Sequence, residues 1–164
     1  MKKKSLIDLL CLVLMIFAVT LTLPTYADED KTTSNMEILR QKITTDKKLL
    51  VATNMNLTEA EAKAFWPVYD AYQEELQQIN ERLAKVINDY AIAFNKGAVL
   101  NDTAMQLIDE AIAVEMAEAN LKRKYVSKLS EALPGAKVAR YIQIENKIRA
   151  IIRYELADLI PLVE

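Results

Sequence analysis

Between residues 65 and 94, apolar side chains return at Phe65, Tyr69, Tyr72, Leu76, Ile79, Leu83, Val86, Tyr90 and Phe94, in alternating steps of four and three. That spacing keeps one side of an α-helix apolar for about four heptads, whereas a strand would need apolar residues at every second position. Between them lie Glu74, Glu75, Gln78, Glu81, Arg82, Lys85 and Asp89, so the segment predicts one long helix with a packing face and a solvated face. Thr58 with Glu61 forms a capping box at its start, each side chain accepting a backbone donor that the new helix leaves unpaired. Pro67 removes the bond to the Lys63 carbonyl, which predicts a bend rather than a stop because the ladder continues past it. Gly97 ends the helix.

The same pattern predicts three further helices. Met36, Leu39, Ile43 and Leu50 mark a first one over about residues 35–53, with residues 54–57 as a short connection. Thr103 with Gln106 reads as a second capping box. It opens a third helix, running to about Ala132, with Leu107, Ile108, Ala111, Ile112, Val114, Leu121, Tyr125, Val126 and Leu129 on one broad face. Leu133-Pro134-Gly135 breaks the chain, and Tyr141, Ile144, Ile148, Ile151, Ile152, Leu159 and Ile160 give a fourth helix, stopped before Pro161. With two Gly and four Pro in the whole chain, helices run long. A helix over residues 59–96 would span on the order of 57 Å. The expected fold is all-α: an elongated four-helix hairpin or cradle of long antiparallel helices, forming one domain over residues 35–164.

The first 27 residues read as a cleaved export signal. Lys2, Lys3 and Lys4 precede an apolar run from Leu9 to Leu23, and Thr25-Tyr26-Ala27 supplies a small-x-small cleavage site. The run is shorter than the roughly 20 residues a spanning helix needs, so no membrane span is expected after cleavage. Cys11 lies inside the run rather than after it, which disfavours lipidation. Residues 28–34 form a polar leader. Export from a bacterial cell would place the protein in the periplasm. Cleavage also removes the only Cys, and the chain contains no His. Ser-His-Asp triads, Cys nucleophiles and His-bound zinc are thereby excluded; carboxylate- or Lys-based catalysis stays open but has no positive sign, and neither an enzyme nor a bound metal or cofactor is expected. Residues 28–164 carry 18 basic and 22 acidic side chains, a net charge of −4, which disfavours nucleic acid as a partner.

Leu57-Thr58-Glu59-Ala60-Glu61, at a helix start, together with the helix order and the export signal, resembles the Spy and CpxP family of periplasmic proteins. A Leu-Thr-x-x-Gln motif occurs twice in that family. Here Glu61 stands in for Gln. The second copy, 76 residues later, is Leu133-Pro134-Gly135-Ala136-Lys137, which keeps only Leu133 of the signature. The resemblance implies a cradle-shaped, homodimeric, envelope-stress chaperone that shields unfolded clients without ATP. It also implies, in some relatives, a metal-linked sensor built on His, for which this chain lacks the ligand.

Charge is uneven. Residues 59–118 hold 12 acidic and four basic side chains, whereas residues 122–153 hold two acidic and nine basic: Lys122, Arg123, Lys124, Lys128, Lys137, Arg140, Lys147, Arg149 and Arg153. Such stretches neutralise one another across antiparallel helices, or else the basic one attracts acidic client segments. Trp66 and Ile92 lie off the main ladder, as candidate partner contacts. Glu115 and Glu118 read as a solvated helix face, and Met105 and Met116 as core filler. The expected function is ATP-independent holding of unfolded or misfolded envelope proteins by an apolar and basic helical surface. The alternative is a periplasmic sensor or adaptor that docks onto a membrane signalling protein, with or without a link to a metal.

Overall fold

A computed structural model describes residues 46–163. Expectations for the export signal, Cys11, the leader, Met36, Leu39 and Ile43 lie outside the described residues. Within them the chain is helix and turn, with no strand. The described part of α1 covers residues 46–55, followed by α2 (Glu59–Asn95), α3 (Asn101–Ala132) and α4 (Gly135–Leu159).

The local signals explain most of the boundaries. Asn56 turns the chain out of α1 with φ +48°, a region that Asn tolerates better than most residues. Thr58 then caps α2 as expected. Its hydroxyl accepts from the Glu61 N–H, while the Glu61 carboxylate accepts from the Thr58 N–H at 2.8 Å. The helix runs unbroken through Pro67 for 37 residues, about 55 Å, so the molecule is elongated. Gly97 follows the helix with φ +102° and open space around it. The constraint there is backbone conformation rather than room.

At α3 the expected cap is corrected. The helix begins at Asn101, with Leu100 as the N-cap, and the Leu100 carbonyl accepts the first bond from the Ala104 N–H at 2.8 Å. Thr103 therefore already lies in the first turn and makes no box with Gln106. Asp102 in that turn complements the helix dipole instead. Leu133 closes α3 with a bond to the Leu129 carbonyl, and Pro134 opens α4.

Cross-helix contacts set the directions. Lys47 reaches Gln73 and Lys48 reaches Asp70, so α1 runs antiparallel to α2. Arg82 meets Glu110 and Lys124 meets Glu75, so α3 also opposes α2. Phe65 packs on Tyr141, Arg149 bonds Asn80 and Tyr90 reaches the Pro161 carbonyl, so α4 runs parallel to α2. The result is an up-down-up-down bundle. The offset of 76 has a physical counterpart: Glu61 pairs with Lys137, and the Phe65 and Tyr141 rings meet edge-on at 5.2 Å. Corresponding positions of the two motif copies touch.

The bundle is filled in two different ways. One end holds Val51, Met55, Phe65, Tyr69, Tyr72, Leu76, Leu121, Tyr125, Leu129, Leu133, Val138 and Tyr141. Their rings contact one another edge-on or tilted, an arrangement worth about 0.5–1.5 kcal/mol per pair beyond area burial. The other end holds Ala84 and Ile87, with Leu83, Ile152, Leu156 and Ile160 partly buried around them. The apolar ladder of α2 matches the buried seam as far as Leu76 and, after that, at Val86 alone. Beyond Leu76 the seam passes through Asn80, Ala84, Ile87 and Ala91, while Ile79, Leu83, Tyr90 and Phe94 are half-buried. A buried residue recurs about every 3.7 positions, close to the natural period of a straight helix, whereas a 3.5-residue ladder drifts off the contact line.

Candidate interaction surface

Between the two fillings lies a polar layer. Asn80, Glu118, Glu145 and Arg149 are all at least nine-tenths buried. The Arg149 guanidinium contacts the Glu118 carboxylate at 2.7 Å and donates to Asn80 Oδ1 at 2.9 Å. Lys122 reaches the other Glu118 oxygen at 2.8 Å. One turn away, Glu145 accepts from Lys47 at 3.0 Å and from Gln73 at 2.9 Å, and Gln73 also donates to the Tyr141 hydroxyl. Burial pushes the Glu118 carboxyl up, but the Lys122 hydrogen bond and the Arg149 charge outweigh it and hold the group below the ordinary carboxylate range. The layer links α1, α2, α3 and α4 with its charges satisfied, which suits a device that fixes helix register.

These positions correct two expectations. Glu118 is interior rather than part of a solvated face. Arg149 is likewise unavailable to a client, because it supplies the cation that this buried carboxylate needs. A sequence signal existed: Glu118 stands between Val114 and Leu121, and Asn80 between Leu76 and Ala84, at positions where the apolar pattern calls for a core residue.

The other basic candidates divide. Lys124 pairs with Glu75, Lys137 with Glu61, and Arg153 with Glu115 and Glu118. The Lys137 bond, then the bond from the Thr58 backbone, hold the Glu61 carboxyl low. The Lys124 and Tyr125 bonds do the same for Glu75. The Tyr125 hydroxyl is pushed up to about 12 by burial and by Glu75. Lys128 lies over the Tyr125 ring, its Nζ 4.5 Å from the centroid. Much of the basic stretch thus neutralises the acidic one across the antiparallel helices. Arg123, Arg140 and Lys147 are exposed and make no ion pair among the described residues.

Trp66 is half-buried, edge-on to Phe65 and Tyr69 with Lys48 over its ring, so it is packed rather than presented. Ile92 is exposed. Leu57 packs on the core, and buried Leu133 belongs to it.

The outer faces of α3 and α4 carry exposed apolar residues, and on α4 these follow basic residues that the sequence had already marked. On α4, Arg140, Lys147, Ile151 and Tyr154 follow one another at heptad-like spacing, all exposed, with Tyr154 at 74%. Beside them, Val126, Ser130, Val138, Ala139, Ile142 and Gln143 line a shallow groove between α3 and α4. On α3, Met105, Ile108, Ile112 and Met116 are exposed rather than core, because Val114, Glu118, Leu121 and Tyr125 occupy the opposite, inward arc. Among the described residues no helix is long and apolar enough to cross a membrane, and no group of three or more acidic residues is placed to hold a metal. The chain matches no protein-family model, no curated protein and no solved structure.

Proposed function

We propose that this protein is a non-enzymatic binding protein of the bacterial periplasm that holds unfolded or misfolded chains without ATP. The observation that carries the reading is the outer face of α4, where Arg140 and Lys147, which make no ion pair among the described residues, are followed along one stripe by exposed Ile151 and Tyr154, with the α3–α4 groove at the Arg140 end. Flexible cationic stems next to apolar side chains suit segments that are greasy and acidic together, and such contacts tolerate many sequences. Holding then works by mass action, lowering the free concentration of aggregation-prone chains. The export-signal pattern of residues 1–27 supplies the compartment.

The reading is tested by titrating the protein into a fluorescently labelled, permanently unfolded acidic chain and following anisotropy. Saturable binding that weakens with salt, and that falls in Arg140→Glu with Lys147→Glu, supports it. No binding to any of several unfolded chains contradicts it.

A further inference from the structure

We infer that residues 150–163, the end of α4 beyond Arg149, form a strap that lifts from the α2–α3 hairpin while the rest of the fold stays closed. This goes beyond the client-binding reading and rests on the inner side of α4 rather than its outer stripe. The two parts of α4 are seated unequally. The first buries Val138, Tyr141, Glu145 and Arg149, whereas no residue of the helix after Arg149 is buried. Ile152, Leu156 and Ile160 are half-buried against Ala84 and Ile87 of α2, and Ala84 offers them no more than a methyl group. Ile151 and Tyr154 face solvent, 65% and 74% exposed. A segment that buries so little apolar surface opens at much lower cost than the fold as a whole.

The polar ties mark where the lifting stops. Arg149 is fixed by Glu118 at 2.7 Å and by Asn80 at 2.9 Å, so the buried layer stays in place and serves as the hinge line. Past it, Arg153 reaches Glu115 and Glu118 at 3.5 and 3.7 Å from an exposed position, and ion pairs of that kind contribute little. The far end is pinned by the Tyr90 hydroxyl, which donates to the Pro161 carbonyl at 2.9 Å. Releasing that bond frees the strap from its tip. The open form bares Leu83, Ala84 and Ile87 on α2 together with Ile152, Leu156 and Ile160 on the strap, an apolar surface that the closed form largely covers. Elements that open in this way are drawn from the weakly held parts of a fold.

Thiol labelling of the full chain tests the proposal, in a Cys11→Ser background so that the introduced thiol stands alone. Ala84→Cys places it under the strap, and Leu129→Cys places it in the aromatic core, where the side chain has no exposed surface. At Ala84→Cys, labelling should run at least about tenfold faster than global unfolding allows, and low urea should barely change it, because little surface is exposed. At Leu129→Cys it should keep pace with global unfolding. Tyr90→Phe should speed labelling at Ala84→Cys about fivefold. Thr58→Ala weakens the fold outside the strap, so it should speed labelling at Leu129→Cys about fivefold and leave Ala84→Cys unchanged. Hydrogen exchange of the wild type reads the same opening without a substitution: amides 152–160 should share one opening equilibrium, reached well before that of amides 121–129. Labelling of Ala84→Cys no faster than global unfolding overturns the proposal, as does an equal response of both thiols to Thr58→Ala. Protection that rises steadily inward from the end of α4 would be simple fraying and overturns it too. Client binding in the anisotropy assay is read separately, so either proposal can fail alone.

Discussion

The two ends of the bundle are made from the same helices, yet they place their apolar residues differently. At the aromatic end Phe65, Tyr69, Tyr72, Tyr125 and Tyr141 point inward and are almost fully buried. Past the polar layer α2 contributes the smaller buried residues Ala84, Val86, Ile87 and Ala91, while Met105, Ile108, Ile112, Met116, Ile151 and Tyr154 are left outside. One end therefore spends its hydrophobicity on stability. The other keeps much of it available for other molecules, and the Glu118–Arg149 layer separates the two.

Substitutions sharpen that contrast, and urea denaturation followed by circular dichroism reads them all. Phe65→Ala should cost about 3–5 kcal/mol, since a ring with no exposed surface leaves a cavity among other rings. Arg149→Met should cost about 3 kcal/mol, because Glu118 stays buried with less compensating charge. Adding Glu118→Gln should return much of that loss. Ile87→Ala should cost about 2 kcal/mol, the low end for an aliphatic truncation, as its half-buried neighbours can close in. Thr58→Ala should cost about 1 kcal/mol through loss of the α2 cap. The smallest effect is expected at Tyr72, whose buried hydroxyl has no hydrogen-bond partner among the described residues. Tyr72→Phe should be neutral or slightly stabilising, whereas Tyr125→Phe, which breaks a 2.7 Å bond to Glu75, should destabilise.

The polar layer also sets a pH dependence. The folded state holds Glu118 below its ordinary value near 4.5. Its contribution is therefore complete above the unfolded value and is lost as acid titrates the folded group below it. Wild-type stability should hold from neutral pH down to that value and then fall. In Glu118→Gln the fall should be shallower. An equal slope in the two proteins would contradict the assignment.

How much of this was legible in the sequence depended on the range of the interaction involved. The all-α class, the Thr58 cap, the stop at Ala132 and the stop before Pro161 all follow from signals within a few residues. The Thr103 box failed because a Thr-x-x-Gln spacing does not say whether the preceding residues are already helical, and Leu100 had begun the helix. The α3 surface was illegible for another reason. Apolar residues occur around most of that helix between Met105 and Met116, so periodicity does not tell which arc meets α2 and α4. Glu118 and Arg149 were assigned to solvent because charged residues are rarely buried. Only the bundle topology brings these two, 31 positions apart, onto one another.

The central claim is that the fold's stability and its binding to other chains reside on different residues. Client aggregation, followed by light scattering, should be measured with wild type, Ile151→Ser with Tyr154→Ser, and Thr58→Ala, alongside the urea midpoint of each. The account predicts that the α4 double variant loses most of its suppression with an unchanged midpoint, while Thr58→Ala shifts the midpoint and suppresses as wild type does. Undiminished suppression by the α4 double variant, or suppression that tracks the midpoint across all three proteins, would contradict it.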